Sequence, residues 1–290
     1  MEQVLKLLRI KGYEANGVKF PTGRSDRITL PMVTRKRLPV VAKFYPTGGG
    51  EITFSNMQEL WRSSFGEGRR PPGLPRPIEY LDDAGVLIME RVEGRPFVEL
   101  DPLDINILDD SIRLAASLHQ CNAQPGKQRD SRRIAKSVRR KAESISKLAP
   151  KFAETFWTAV EALEAAQVKD LELVPCHGDF SPKNVLVAPN GLVLLDWDRF
   201  RLADAARDIA YMGCWYWVRG LRQEKTPDWS VLDRIVNIYN SLRPGVAIDA
   251  HLSFHISAGL LRRAHSYLIL WKEESYLVPQ LIREALCQLR

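Results

Sequence analysis

The sequence predicts an α+β chain in two lobes: a small β-rich N-terminal lobe over residues 1–92, then a larger helical lobe over 93–290 that contains one small sheet. Three observations carry that expectation. Turn-bounded runs rich in β-branched and aromatic residues fill most of the first ninety positions. From about Asp104 onward, apolar residues recur at helical spacing. Between Val174 and Leu195 a strand-rich island interrupts the helices. At 290 residues the chain is long enough to bury a substantial core.

Met1 to Ile10 reads as a short amphipathic helix with Glu2, Lys6 and Arg9 interspersed. Gly17 to Phe20 and Arg27 to Leu30 are strand-like pieces separated by the turn-forming cluster P-T-G-R-S-D. Pro39 to Tyr45 (P-V-V-A-K-F-Y) is a stronger strand, ended by Pro46 and the Gly48 to Gly50 break. Glu51 to Arg62 sets Phe54, Met57, Leu60 and Trp61 at helical spacing. After a basic, proline-rich loop, Pro77 to Leu81, the turn Asp82 to Gly85 and Val86 to Val92 form a hairpin. The Glu93-Gly94 turn marks the boundary between lobes.

In the second lobe Ile107, Leu108, Ile112, Ala115 and Leu118 share one helix face. A strongly basic helix follows from Arg129 to Lys147, then another carrying Phe152, Phe156, Val160 and Leu163. Asp208 to Val218 is apolar nearly all round, the pattern of a buried helix. Two more helices are expected over Trp229 to Leu242 and Ala250 to Leu289.

Composition narrows the function classes. No h-region forms near Met1, and the most apolar later stretch, Ala258 to Trp271, is broken by Arg262, Arg263 and His265. Cys121, Cys176, Cys214 and Cys287 form no C-x-x-C pair. That argues against a zinc site or a disulfide framework and suits a cytoplasmic protein with no membrane partner. The net charge of +7 points to an anionic partner, which a nucleotide or a nucleic acid would each satisfy.

The island reads P-C-H-G-D-F-S-P-K-N-V-L-V-A-P-N-G-L-V-L-L-D-W-D from Pro175. Val185 to Ala188 and Leu192 to Leu195 are two strands joined by Pro189-Asn190-Gly191. Antiparallel pairing brings Asn184 and Asp196 together with Asp179 nearby. A carboxylate and an amide oxygen suit Mg2+ when phosphates complete its shell, and a second carboxylate can accept a hydroxyl proton. Those are the parts for phosphoryl transfer, and H-x-D with Asn five residues later and an Asp after the next strand is the spacing of a kinase catalytic loop. Taken singly, each of these residues could merely cap a hairpin turn.

H-G-D-F-S-P-K-N-V-L-V followed by L-L-D-W-D resembles the aminoglycoside phosphotransferase and choline kinase-like family, a branch of the protein-kinase fold. The resemblance implies Asp179 as catalytic base, Asn184 and Asp196 as Mg2+ ligands, and His177 as a structural loop histidine. It also implies that Asp208, at the start of a buried helix, braces the loop. Ser181 and Lys183 depart from the family pattern; Lys183 is expected to point to solvent, with a phosphate contact as the alternative.

On the nucleotide side, Lys43 occupies the position resembling the V-A-I-K lysine, with Glu59 on the following helix as its ion-pair partner and Glu51 as the competitor. The phosphate-covering loop is expected at Pro21 to Asp26, with Ser25 as a contact. Main-chain atoms around Glu90 and Val92 are expected to pair with the purine, ATP or alternatively GTP. Only a short stretch separates Asp196 from Asp204, with no peptide-docking segment, so the acceptor is expected to be a small molecule with a hydroxyl group. Aminoglycosides, amino alcohols, sugars and nucleosides all stay open, although the basic chain disfavours a polycation. The Arg129 to Lys147 helix reads as a solvated face, with an anionic acceptor or nucleic acid as alternative. The competing readings are a nucleotide-binding pseudokinase acting as an interaction module and a basic nucleic-acid binder. Nothing in the sequence fixes an oligomeric state.

Overall fold

The β-branched run beginning at Pro39 forms the centre of a five-stranded antiparallel sheet. The computed structural model describes residues 2–15, 28–169, 172–244, 246 and 248–290. In chain order, α1 (Glu2–Lys11) leads into β1 (Tyr13–Ala15), β2 (Thr29–Thr34), β3 (Pro39–Phe44), α2 (Gly50–Trp61), β4 (Pro77–Leu81) and β5 (Val86–Glu90). The strand order is β1-β2-β3-β5-β4.

Alternation along these strands separates a core face from a cleft face. Leu30, Met32, Val40, Ala42, Val86 and Ile88 pack with Leu8 of α1 into one apolar cluster. Their sequence neighbours Thr29, Val41, Lys43, Leu87 and Met89 line a cavity on the opposite side. The strand expected to stop at Leu30 continues through Pro31 to Thr34, and Tyr13–Ala15 adds a strand that was not expected. The piece at Gly17 to Phe20 lies outside the described residues.

The remainder is mostly helical: β6 (Arg95–Pro96), α3 (Ile105–Gln120), β7 (Gln128–Arg129), α4 (Ser131–Leu148), α5 (Ala153–Ala165), β8 (Val174–Cys176), β9 (Val185–Ala188), β10 (Gly191–Leu194), β11 (Arg201–Ala203), α6 (Ala206–Arg222), α7 (Ser230–Leu242), α8 (Asp249–Ile269) and α9 (Val278–Cys287). Asp104 caps α3 by accepting from the Asn106 and Ile107 amides, and Asp130 caps α4 through the Arg133 amide. Two small sheets, β10-β9-β6 and β7-β11-β8, are set among the helices. A second apolar cluster runs through α3 to α9 and reaches Met57 and Leu60 of α2 and Leu87 of β5, so it spans both lobes.

One expected helix is in fact two. The stretch Ala250 to Leu289 breaks after Ile269, and α9 restarts with Pro279 in its first turn. Proline has no amide hydrogen to donate inside a helix, but loses nothing at a helix start. Among the described residues no helix is long and apolar enough to cross a membrane.

Candidate active site

The loop His177-Gly178-Asp179 leaves β8 and is held from below by α6. Asp208, fully buried in the first turn of that helix, accepts from the His177 amide at 2.7 Å and the Gly178 amide at 2.8 Å. Its second neighbour is His119, whose Nε2 lies 3.3 Å away. Burial by itself would push the Asp208 carboxyl up. The hydrogen bond from His119 and the charges of Arg207 and His177 outweigh it and hold the group below the usual carboxylate range.

Gly178 has φ +78°, and a Cβ there would stand 2.6 Å from the Arg199 carbonyl oxygen. Glycine is therefore required on both conformational and steric grounds. His177 ties the loop to the hairpin: its Nδ1 accepts from the Asp179 amide at 3.2 Å, and its Nε2 donates to the Leu195 carbonyl at 2.8 Å. These two partners set the tautomer with the proton on Nε2, and the ring packs against Trp197.

The hairpin β9–β10 pairs Gly191 with Ala188 and Leu194 with Val185, and the Leu195 amide donates to the Asn184 carbonyl at 2.8 Å. Asn184 and Asp196 consequently meet at its base. The Asn184 Nδ2 donates to the Asp179 carbonyl at 2.8 Å, which turns the amide oxygen away from the loop. Asp196 adopts φ 63°, ψ 68°, a left-handed conformation rare outside glycine, and its side chain is 42% exposed to the cleft.

Lys43 reaches this point from β3. Its Nζ lies 2.6 Å from Asp196 Oδ1 and 2.8 Å from Asp198 Oδ2, and the Tyr45 hydroxyl donates to Asp198 Oδ1 at 2.6 Å. This corrects the expected ion pair with Glu59. On α2 the buried face carries Gly50, Thr53, Met57 and Leu60, with Thr53 and Met57 lining the cavity that Lys43 lines. At 100° per residue Glu59 lies about 200° around from Met57, and it accepts instead from the Gln124 amide at 3.3 Å. Ser25 and the loop Pro21 to Asp26 lie outside the described residues.

Two cavities meet at the hairpin base. One, of about 400 Å³, lies under the sheet between Val41, Leu87, Met89 and the hairpin residues Leu186 and Leu195, with Glu90 and Val92 at its edge. The other, of about 820 Å³, opens on the helical side and includes Asp179, Tyr211, Trp215 and Trp271. Lys183, Asn184 and Asp196 line both. Lys183, expected to point to solvent, is exposed yet borders the two cavities.

Asp179 stands 3.5 Å from Arg199 Nη1. Burial raises its carboxyl, but Arg199, a hydrogen bond from Tyr211, and the charges of His177 and Arg262 carry it below the ordinary range. For Asp196, burial is likewise outweighed, here by Lys43, and the carboxyl is lowered.

The carboxylate of Asp196 and the amide oxygen of Asn184 form a hard donor pair where the two cavities meet. That set suits a divalent cation such as Mg2+.

Several participants were not singled out from the sequence. Asp198 stood inside the quoted L-L-D-W-D motif without a role. Arg262 and Arg263 were noted only as interruptions of an apolar run, and Lys141 only as one charge of the basic helix. Their convergence depends on the packing of α4, α6 and α8. Trp217 is buried and stacked on Trp229.

Comparison with protein-family models matches residues 32–230 to the Phosphotransferase enzyme family. No curated protein sequence matches the chain. Solved structures share the fold at low identity. An aminoglycoside-3'-phosphotransferase of type VIII is 22% identical, with TM-score 0.61 over 88% of this chain and 97% of its own. A spectinomycin phosphotransferase crystallised with ADP and spectinomycin is 14% identical, with TM-score 0.66 over 99% and 98%. A choline/ethanolamine kinase family protein from Mesorhizobium loti is 13% identical, with TM-score 0.64 over 100% and 94%. The fold is thus the two-lobed, protein-kinase-like one. Matched over most of its length, the chain belongs to the Phosphotransferase enzyme family.

Proposed function

We propose that the protein transfers the γ-phosphate of ATP to a hydroxyl group of a small molecule, with Asp179 as the base and Mg2+ held by Asn184 and Asp196. The observation that carries this reading is the convergence of those three side chains at the hairpin base, between an apolar slot and a polar cavity.

In the proposed reaction the acceptor oxygen bonds to the γ-phosphorus as the bond to the β,γ-bridging oxygen breaks. ADP leaves, and the hydroxyl proton goes to an Asp179 carboxylate oxygen. Because that carboxyl is held low, it is ionised and ready at neutral pH. Bound Mg2+ would neutralise charge on the phosphates. Lys43 supplies a cation for them from the N-terminal side. Main-chain atoms near Glu90 and Val92 take the purine edge, a contact that leaves GTP open as donor. Residues 1–92 then act as the nucleotide lobe and residues 93–290 as the catalytic and acceptor lobe. The four free cysteines fit a reducing, cytoplasmic setting.

The test is consumption of Mg2+·ATP across a panel of hydroxylated acceptors. Turnover is expected with at least one class, and Asp179→Asn should lower it about 10²-fold or more while the thermal shift caused by Mg2+·ADP persists. Nucleotide binding without any turnover would favour the pseudokinase reading. No thermal shift at all would overturn both.

A further inference from the structure

The helical-side cavity is lined by more positive than negative charge. Lys141 of α4, Lys183, Arg199, and Arg262 and Arg263 of α8 border it, against the carboxylates of Asp179, Asp196 and Asp198. The carboxylates are already engaged: Asp196 and Asp198 with Lys43, Asp179 beside Arg199. Glu274, near enough to act on Lys183, pairs with Arg222 at 2.8 Å. Among the described residues, Lys141, Arg262 and Arg263 have no carboxylate within ion-pair distance. Arg262 lies over the Tyr211 ring, and Arg263 reaches only the Tyr267 hydroxyl at 3.4 Å.

Like charges crowd behind this wall. Burial and then the charges of Arg207 and Arg262 bring Arg129 down to about 9. Burial followed by Arg199 brings Arg262 down to about 10. Lys141 is lowered by burial and then by Arg262 and Arg199. Burying cations is costly; Tyr211 and Asp179 offset part of that for Arg262, and Tyr211 and Tyr267 more than offset it for Arg263, and a bound anion would relieve what remains at Arg262 and Lys141.

The nucleotide does not account for them. Lys183 lines both cavities, whereas Lys141, Arg262 and Arg263 line the helical-side cavity and not the slot under the sheet. At about 820 Å³ that cavity suits a small molecule, with Tyr211, Trp215 and Trp271 as apolar walls.

We propose that the acceptor is an anion: a small hydroxylated molecule bearing a carboxylate or a phosphate ester, whose charge is held by Lys141, Arg262 and Arg263 while its hydroxyl faces Asp179. This rests on the kinase reading of the same site. It also sets the acceptor apart in charge from polyamine antibiotics and from choline.

The test uses the full chain with saturating Mg2+·ADP, titrated calorimetrically with gluconate, glucose 6-phosphate, glucose, glucosamine and inorganic phosphate. Gluconate or glucose 6-phosphate should bind where glucose and glucosamine do not, and which of the two binds tells carboxylate from phosphate. Affinity should fall about 10-fold or more in Arg262→Gln and in Lys141→Gln, as expected for losing a hydrogen bond to a charged group. It should also weaken as salt is raised. Lys141 stands on a different helix from Arg262, so a folding defect in one variant leaves the other informative, and the salt series needs no variant.

The proposal is overturned if glucosamine or a polyamine such as kanamycin binds more tightly than the anionic probes. It is overturned equally if no anion, inorganic phosphate included, binds the Mg2+·ADP form, or if both variants bind anions as the parent does. Failure of the kinase reading has a separate signature: Mg2+·ATP is not turned over with any acceptor, or the Mg2+·ADP complex itself does not form.

Discussion

Asp208 gives two oxygens to two consecutive amides, so its loss should be felt in the loop and in the fold together. Asparagine there has one acceptor oxygen and adds a donor that faces an amide. Asp208→Asn should cost about 2–4 kcal/mol of stability, the scale for breaking a buried charged hydrogen-bond pair, readable in urea melts. The sign with pH follows from its lowered carboxyl. Its contribution is complete above the unfolded value of about 3.9 and is lost as pH falls through the lower folded value. The same reasoning for Asp179 predicts that the acid limb it imposes on kcat/KM falls below the ordinary aspartate range, checked by a pH–rate profile. Asp179, Asn184, Asp196 and Asp208 were legible because they fall in one short stretch with fixed spacing. Glu59 was misread as the partner of Lys43 because residue order fixes neither the rotation of α2 nor the reach of Asp196 across the cleft.

At the scale of elements, the β9–β10 hairpin was readable from its alternation and its Asn-Gly turn, with the second strand displaced by one residue at both ends. The loop before it depends on Gly178. Gly178→Ala would hold alanine at φ +78° with its Cβ against the Arg199 carbonyl. The expected loss is about 1–3 kcal/mol of stability, with a fall in kcat exceeding any change in KM for nucleotide, measured by thermal melts and steady-state kinetics. The break between α8 and α9 escaped periodicity because apolar spacing resumes after it, and Pro279 gave the missed signal. The strand β2 was cut short because Pro31 reads as a breaker, although Leu30 and Met32 on either side still alternate into the core.

For the whole molecule, the two-lobed shape followed from the change of apolar period along the chain. The helical-side cavity did not, because Lys141, Tyr211 and Arg262 are brought together from α4, α6 and α8. Charge in that region also sets a global pH response. His265, on α8, is pushed down to about 4 by burial and then by Lys141. Between about pH 6.5 and about 4 the unfolded chain takes up a proton at this site that the folded protein does not. Stability should therefore fall across that window as pH is lowered. His265→Gln should flatten the slope of melting temperature against pH between those limits.

The Lys43 ammonium, set between Asp196 and Asp198, gives the resting protein an internal salt at its reaction centre. The cation proposed to meet phosphate and the carboxylate proposed to hold metal are paired with one another beforehand. A dication arriving alone therefore meets carboxylates whose charge is already partly offset, while Mg2+·nucleotide brings a partner for each half. On the proposed roles, the expected order of arrival is metal entering with its nucleotide rather than ahead of it. Calorimetry should find Mg2+ binding feeble to the free protein and restored beside ADP, with Lys43→Met strengthening the first and weakening the second.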